Sequence, residues 1–144
     1  SKERKMFAQS NHEYLIKQTQ YSLNNNILPN EKNRTIQLNF FHPIIELVWV
    51  VQNKSKFLPR NNGGNDYFNY SKTDNYPYKD TIKSAKIKLN GADRTTEMTA
   101  KELRFYIPIE KHTSIPDNFI YVYSFAINPE SFQPSGSCNF TKLN

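Results

Sequence analysis

The sequence predicts an all-β protein, a jelly-roll β-sandwich with one short N-terminal helix. Three observations carry this. Apolar and polar residues alternate with a period of two in several separate stretches. Turn-forming residues such as Asn90-Gly91 and Pro134-Ser135-Gly136 punctuate those stretches. Helix-forming residues free of Gly, Pro and β-branching concentrate at the start of the chain.

In chain order, Lys2 to Gln9 is the expected helix. His12 to Tyr21 fits either period: Tyr14 and Ile16 suit a strand, whereas Phe7, Tyr14, Leu15 and Gln18 suit a helical face. A short helix followed by a strand is expected there. Ile36, Leu38 and Phe40 alternate with Gln37 and Asn39, which predicts a strand. His42-Pro43 favours an extended bend. Ile44 to Val51 is apolar on both faces and is expected as a central strand. Ala85, Ile87 and Leu89 alternate with Ser84, Lys86 and Lys88, and then reach the Asn90-Gly91 hairpin signal. Leu103, Phe105, Ile107 and Ile109 alternate with Arg104, Tyr106 and Pro108, which predicts an edge strand ending at the proline. Phe119, Tyr121, Tyr123, Phe125 and Ile127 give a strand with an aromatic face. Ser137 to Leu143 is a weaker strand. That makes about seven strands where a closed jelly roll uses about eight, so the chain reads as one partial domain, residues 1–144.

Asn53 to Asp80 is different. It carries Gly63-Gly64 among asparagines, a turn signal, and then Tyr67, Phe68, Tyr70, Tyr76 and Tyr78. A connection this long in a compact domain is usually functional or disordered. Its aromatics argue against plain disorder. The expectation is a surface loop that packs on something.

Composition narrows the function. The chain has 144 residues, 37% apolar and 14% aromatic, with 10 Phe, 9 Tyr and 1 Trp. It can build a core that leans on rings. With 4 Gly and 8 Pro it is not collagen-like. Its longest apolar run, Pro43 to Val51, is broken by Glu46 and falls far short of the ~18–20 residues of a membrane helix. No secretory pattern opens the sequence. The single cysteine, Cys138, excludes an internal disulfide framework and a thiolate-rich zinc site. The net charge of +6 is mild, and 63 residues are Asn, Lys, Ile, Tyr or Phe, all encoded by A/T-rich codons. Part of the basic charge therefore reflects base composition.

Reactive constellations are sparse. The three histidines, His12, His42 and His112, lie at no metal-ligand spacing. Cys138 sits in an expected strand and reads as a packed thiol, not as the nucleophile of a Cys/His pair. Nucleophile-elbow, P-loop and dinucleotide-binding motifs do not occur. Glu97, Glu102, Glu110, Asp93 and Asp117 are acids that glycoside hydrolysis would need in pairs, but solvated faces and local ion pairs are the commoner role. Asp93 and Arg94, just after the turn, are expected to stabilise it. Lys83, Lys86 and Lys88 can meet phosphates, or can guard a sheet edge. Sequons occur at Asn33, Asn53, Asn69 and Asn139 and carry sugar only along a secretory route. No catalytic residue, metal ligand or cofactor is assigned. The residues alone leave function open.

Ordered motifs add to this reading. Phe105 to Asn144 contains His112-Thr113, Ile115-Pro116, the aromatic strand Tyr121 to Phe125, Asn128-Pro129-Glu130, Gln133-Pro134-Ser135-Gly136 and Cys138-Asn139-Phe140. An upstream stretch runs from Leu38 through His42-Pro43, Glu46-Leu47 and Trp49-Val50. A third is Leu89-Asn90-Gly91-Ala92-Asp93-Arg94, and Ala8-Gln9 with His12 to Ile16 also fits. In this order they resemble the major capsid protein family of the large nucleocytoplasmic DNA viruses. The resemblance spans most of the chain except Asn53 to Asp80. It implies a double jelly-roll protein, of which this chain is most of the C-terminal roll. It implies homotrimers with a pseudo-hexagonal outline that tile an icosahedral shell beside neighbouring capsomers and minor capsid proteins. Localisation would be the virion, after assembly in the host cell, in its cytoplasm. Neither direct nucleic-acid binding nor a membrane span is expected. Tyr67, Phe68, Tyr70, Tyr76 and Tyr78 become candidates for a subunit contact or an outer surface. A carbohydrate- or receptor-binding sandwich is the competing reading, with the same tyrosines stacking on sugars.

Overall fold

The computed structural model describes residues 1–23, 26–28, 30–56, 66–73 and 76–143. The chain divides into two compact units, Ser1–Phe40 and Phe41–Asn144.

The first unit opens with helix α1, Lys2–Gln9, over the span the composition predicts. Ser1 caps it by accepting from the Arg4 amide, and Glu3 places an acid in the positive first turn. Phe7 stacks on the His12 ring, with centroids 3.8 Å apart. The strands expected at 12–21 and 36–40 do not form among the described residues. Alternation only prepares a segment for pairing. A strand exists when a neighbour takes up its backbone N–H and C=O groups, and the described residues of this unit form no such ladder.

The second unit holds the core. Strands β1 (Pro43–Ile44) and β2 (Glu46–Trp49) arise from the apolar run. β2 pairs antiparallel with β7 (Tyr121–Ser124), from Glu46 opposite Ser124 to Trp49 opposite Tyr121. β1 pairs with β8 (Cys138–Asn139). β3 (Ser84–Ala85) pairs with β6 (Met98–Thr99). β4 (Lys88–Leu89) and β5 (Ala92–Asp93) form a hairpin. Asn90 and Gly91 both have positive φ, 51° and 78°, as the tight turn of that hairpin requires.

Tyr121 and Leu103 are fully buried and meet Ala100; Trp49, Ile82, Ala85, Met98 and Ile107 close around them. The Trp49 and Tyr121 rings lie 6.1 Å apart. One aromatic pair anchors this core, but aliphatic side chains fill most of it, and most of the chain's rings stay exposed, contrary to the expectation from composition.

Three expectations are corrected. β2 was expected to be covered on both faces, but Val48 is 58% exposed. Among the described residues its ladder has two strands, β2 and β7. The aromatic strand is regular only over Tyr121–Ser124, because Phe119 takes a positive φ of 54° and cannot continue a ladder. The expected edge strand 103–109 is helical: a π-turn at Glu102–Tyr106 runs into helix α2, Ile107–Lys111. Its start is a capping box. Thr99 Oγ1 accepts from the Glu102 amide, and the Glu102 carboxylate accepts from the Thr99 amide at 2.6 Å. Pro108 stands just past the π-turn, where the widened ladder has already departed from the i→i−4 pattern that a proline would break. Leu103, Ile107 and Pro108 turn inward, while Tyr106 and Ile109 stay exposed. The period-two pattern there is coincidental.

Candidate functional site

The loop that carries the candidate aromatics is fastened at several points. The Lys56 side chain is buried and donates to Ser71 Oγ at 3.3 Å and to the Thr73 carbonyl at 3.1 Å. Asp66 lies 3.9 Å from the same ammonium. An ammonium carries three donors and needs such a cage when it leaves water. Asn69 closes a side-chain turn on Ser71 and donates to Asp66 at 2.7 Å. At the loop's end, Arg104 grips Asp80 through two bonds, 2.9 and 3.3 Å. The Tyr121 hydroxyl donates to Asp80 and accepts from the Thr81 amide, each at 3.2 Å. Thr81 Oγ1 donates to the Tyr70 carbonyl. The Arg104 guanidinium also lies 4.7 Å from the Phe119 ring centroid. Burial, with the Asp80 charge second, pushes the Tyr121 phenol above its ordinary range.

On this base the candidates divide. Tyr70 is half-buried, with its carbonyl engaged. Tyr67 and Phe68 are exposed, and the Tyr67 carbonyl accepts from Gln52. Tyr76 is 87% exposed and Tyr78 51%, with their rings edge-to-face at 6.3 Å. Gly63-Gly64 lies outside the described residues.

The candidate reactive residues occupy structural contacts. His42 uses its backbone: its N–H donates to Thr141 Oγ1 at 2.8 Å and its carbonyl accepts from Phe140. His112 Nε2 lies 2.8 Å from Glu46 on β2. Glu110 pairs with neighbouring Lys111. Glu97 bonds Ser84 across the β3–β6 ladder. Glu102 caps the helix, and the bonds from Thr99 hold its carboxyl below the usual range. Asp93 pairs with Lys86 at 2.9 Å and with Lys88 at 3.8 Å. It thereby locks the hairpin, and the Lys86 bond lowers its carboxyl. Cys138 is half-buried in β8 opposite Ile44. Among the described residues no cluster of three His, Cys, Asp or Glu can hold a metal ion, and no helix is long and apolar enough to cross a membrane.

Motifs far apart in sequence meet. The His42-Pro43 corner is bonded to the Cys138-Asn139-Phe140-Thr141 run. The Phe125 amide donates to Ile45. The Asn128–Gly136 turn is closed by Ser135, whose hydroxyl accepts from the Asn128 amide and donates to its carbonyl. Glu130 reaches out of that turn to accept from the Thr113 amide at 3.0 Å. Each polar group here holds a strand end or a turn, so the shared work of these motifs is to lock backbone.

The class that these contacts define is a structural β-protein. The chain belongs to the major capsid protein family of large eukaryotic DNA viruses, whose family model matches residues 3–144. It is 30% identical to the major capsid protein of Pyramimonas orientalis virus, over 98% of this chain and 36% of that protein. It is 31% identical to that of Paramecium bursaria Chlorella virus 1, over 99% of this chain and 37% of that one. Among solved structures, the quasi-atomic model of the PBCV-1 virus capsid superposes with a TM-score of 0.58 at 30% identity, over 76% of this chain and 30% of that one. A crystal structure of PBCV-1 VP54, fitted into a cryo-EM reconstruction of the virophage Sputnik, gives 0.59 at 31% identity with the same coverage. The fold is accordingly the all-β jelly roll of these capsid proteins, with a short N-terminal helix. The chain spans little more than a third of the length of these two curated relatives.

Three elements escaped sequence reasoning: the Lys56 cage, the Asp80–Arg104–Tyr121 clamp and the helix at 100–111. The third had a readable signal, Thr99-Ala100-Lys101-Glu102. The first two join residues 10 to 41 positions apart, and no local pattern announces them.

Proposed function

We propose that this chain is a building block of a viral shell: most of the C-terminal jelly roll of a major capsid protein. The full protein assembles as homotrimers with a pseudo-hexagonal outline, which tile an icosahedral virion beside neighbouring capsomers and minor capsid proteins. Assembly takes place in the cytoplasm of the infected cell. The role is structural, without catalysis, a cofactor or direct nucleic-acid binding. A single observation supports this best: the motifs shared with the capsid family, scattered along the sequence, are the ones bonded to each other in the fold. In this reading Tyr67, Phe68, Tyr70, Tyr76 and Tyr78 serve a contact with a neighbouring subunit or the outer surface. The test is native mass spectrometry with negative-stain imaging of the full-length protein. A trimer with a hexagonal outline is expected, and a stable monomer overturns the proposal.

A further inference from the structure

The Lys56 cage holds more than a charge. The Lys56 side chain is only 2% exposed, and Ser71 is fully buried beside it. Acceptors alone would shelter an ammonium. This cage also holds a carboxamide. Asn69 Oδ1 accepts from the Ser71 hydroxyl at 2.5 Å and from the Ser71 amide at 3.0 Å. Asn69 Nδ2 donates to Asp66 Oδ2 at 2.7 Å. The same Asp66 oxygen lies 3.9 Å from Lys56 Nζ. One hydroxyl oxygen, Ser71 Oγ, touches both the amine and the carboxamide, 3.3 Å from Nζ and 2.5 Å from Oδ1. An amine, an acyl carbon, two donors on its oxygen and a carboxylate that meets both nitrogens are thus gathered in one place.

We propose that Lys56 and Asn69 join in an isopeptide bond that the chain makes by itself. Asp66 takes a proton from the Lys56 ammonium, and the freed amine attacks Cγ of Asn69 to form a C–N bond. Negative charge develops on Oδ1, where the two Ser71 donors already stand. The Ser71 hydroxyl also lies 2.7 Å from the Thr73 carbonyl, and its one proton turns to Oδ1 as that charge builds. Asp66 then gives its proton to Nδ2 and takes a second one from the attacking nitrogen. The Cγ–Nδ2 bond breaks, and ammonia leaves with the electron pair. Ammonia picks up the second proton and departs as ammonium, which restores the carboxylate. One ammonium side chain and one carboxamide thereby become a secondary amide and an ammonium ion. Nothing is oxidised or reduced, and no co-reactant enters. Two effects favour the exchange. A buried charge is replaced by a neutral amide, which removes a desolvation cost. The reacting groups are held in one bonded turn, so no bimolecular encounter is needed. Asp66 is exposed, which gives the ammonium a way out to water. The bond forms once per chain and has no turnover. It ties residues 66–71, beside the aromatic candidates, to the turn Lys54–Lys56, and it is independent of the capsid proposal.

The test is mass spectrometry of the full-length protein. Forming the bond lowers the mass by about 17 Da, one ammonia. Trypsin does not cut after an acylated lysine, so residues 55–60 and 61–72 should be recovered as one branched peptide. Its fragment ions should place the link between Lys56 and Asn69. Lys56→Arg and Asn69→Ala should abolish the branched peptide. Asp66→Asn should form it about a hundredfold more slowly, read as the linked fraction in samples taken over time after synthesis. Unlinked peptides ending at Lys56 in the aged parent protein overturn the proposal. So does a loss of ammonia without a branched peptide, which is the mark of a succinimide at an asparagine. An Asp66→Asn variant that links as fast as the parent overturns it as well. The branched peptide is read in the parent protein alone, so a variant that fails to fold does not remove the test. The readout does not depend on oligomeric state, so a linked monomer separates failure of the capsid proposal from failure of this one.

Discussion

Replacing Gly136 by alanine isolates a single close approach between two backbones. Gly136 has φ of +144°, a region open almost only to glycine. A Cβ built there would stand 2.9 Å from the Phe125 carbonyl oxygen and 3.2 Å from the Ala126 Cα. Both are backbone atoms, so no side chain can swing aside. The Phe125 and Ala126 amides are themselves bonded to the Ile45 carbonyl, which ties the obstruction to the chain segment just before β2. The conformational penalty alone is about 1–3 kcal/mol. Relieving the contact means parting the turn from residues 125–126 and weakening the Ile127–Ser135 bond, a further ~1 kcal/mol. Gly136→Ala should therefore cost about 2–4 kcal/mol. Gly91 is the internal control. It also has positive φ, +78°, but an added Cβ there meets nothing within 4 Å. Gly91→Ala should cost only the left-handed penalty, about 1–2 kcal/mol. Urea denaturation of the full-length protein, followed by circular dichroism, reads both variants. Equal losses for the two, or a loss below ~0.5 kcal/mol for Gly136→Ala, would refute the close-approach argument.

Leu103→Ala should destabilise the second unit by about 2–5 kcal/mol, since Leu103 is fully buried against Tyr121 and Ala100; differential scanning calorimetry checks it. The Glu102 cap predicts a pH signature. Its carboxyl is lowered in the fold, so its contribution is complete above the ordinary value of 4.5 and is lost as pH falls through the folded value. The stability difference between the parent and Glu102→Gln should therefore be present at neutral pH and shrink in acid, and a pH-independent difference would assign the effect to something other than the charge. Tyr121 works in the opposite direction. Its phenol is raised in the fold, so stability should fall as pH climbs above the ordinary value of 10, and less steeply in Tyr121→Phe.

The sequence by itself determined what depends on near neighbours along the chain. Ser1 and the helix formers after it set α1, and Asn90-Gly91 sets the β4–β5 hairpin because few other residue pairs accept positive φ twice in succession. Asp93 beside that turn was legible as a turn stabiliser, and the collinear motifs were legible as a capsid family. Tertiary structure decided the rest. Residues 103–109 alternate like a strand, yet they wind into a helix, because the Thr99–Glu102 capping box starts one and burial of Leu103, Ile107 and Pro108 rewards it. Residues 36–40 alternate as well and stay unpaired among the described residues, because a strand is a property of two segments and not of one. The aromatic loop could be read as exposed or packed, but not as braced. Its support comes from Lys56 reaching Ser71 and from Arg104 and Tyr121 reaching Asp80, contacts between residues far apart in the chain. Such contacts form only when folding makes the burial of a charge or hydroxyl conditional on finding its partner.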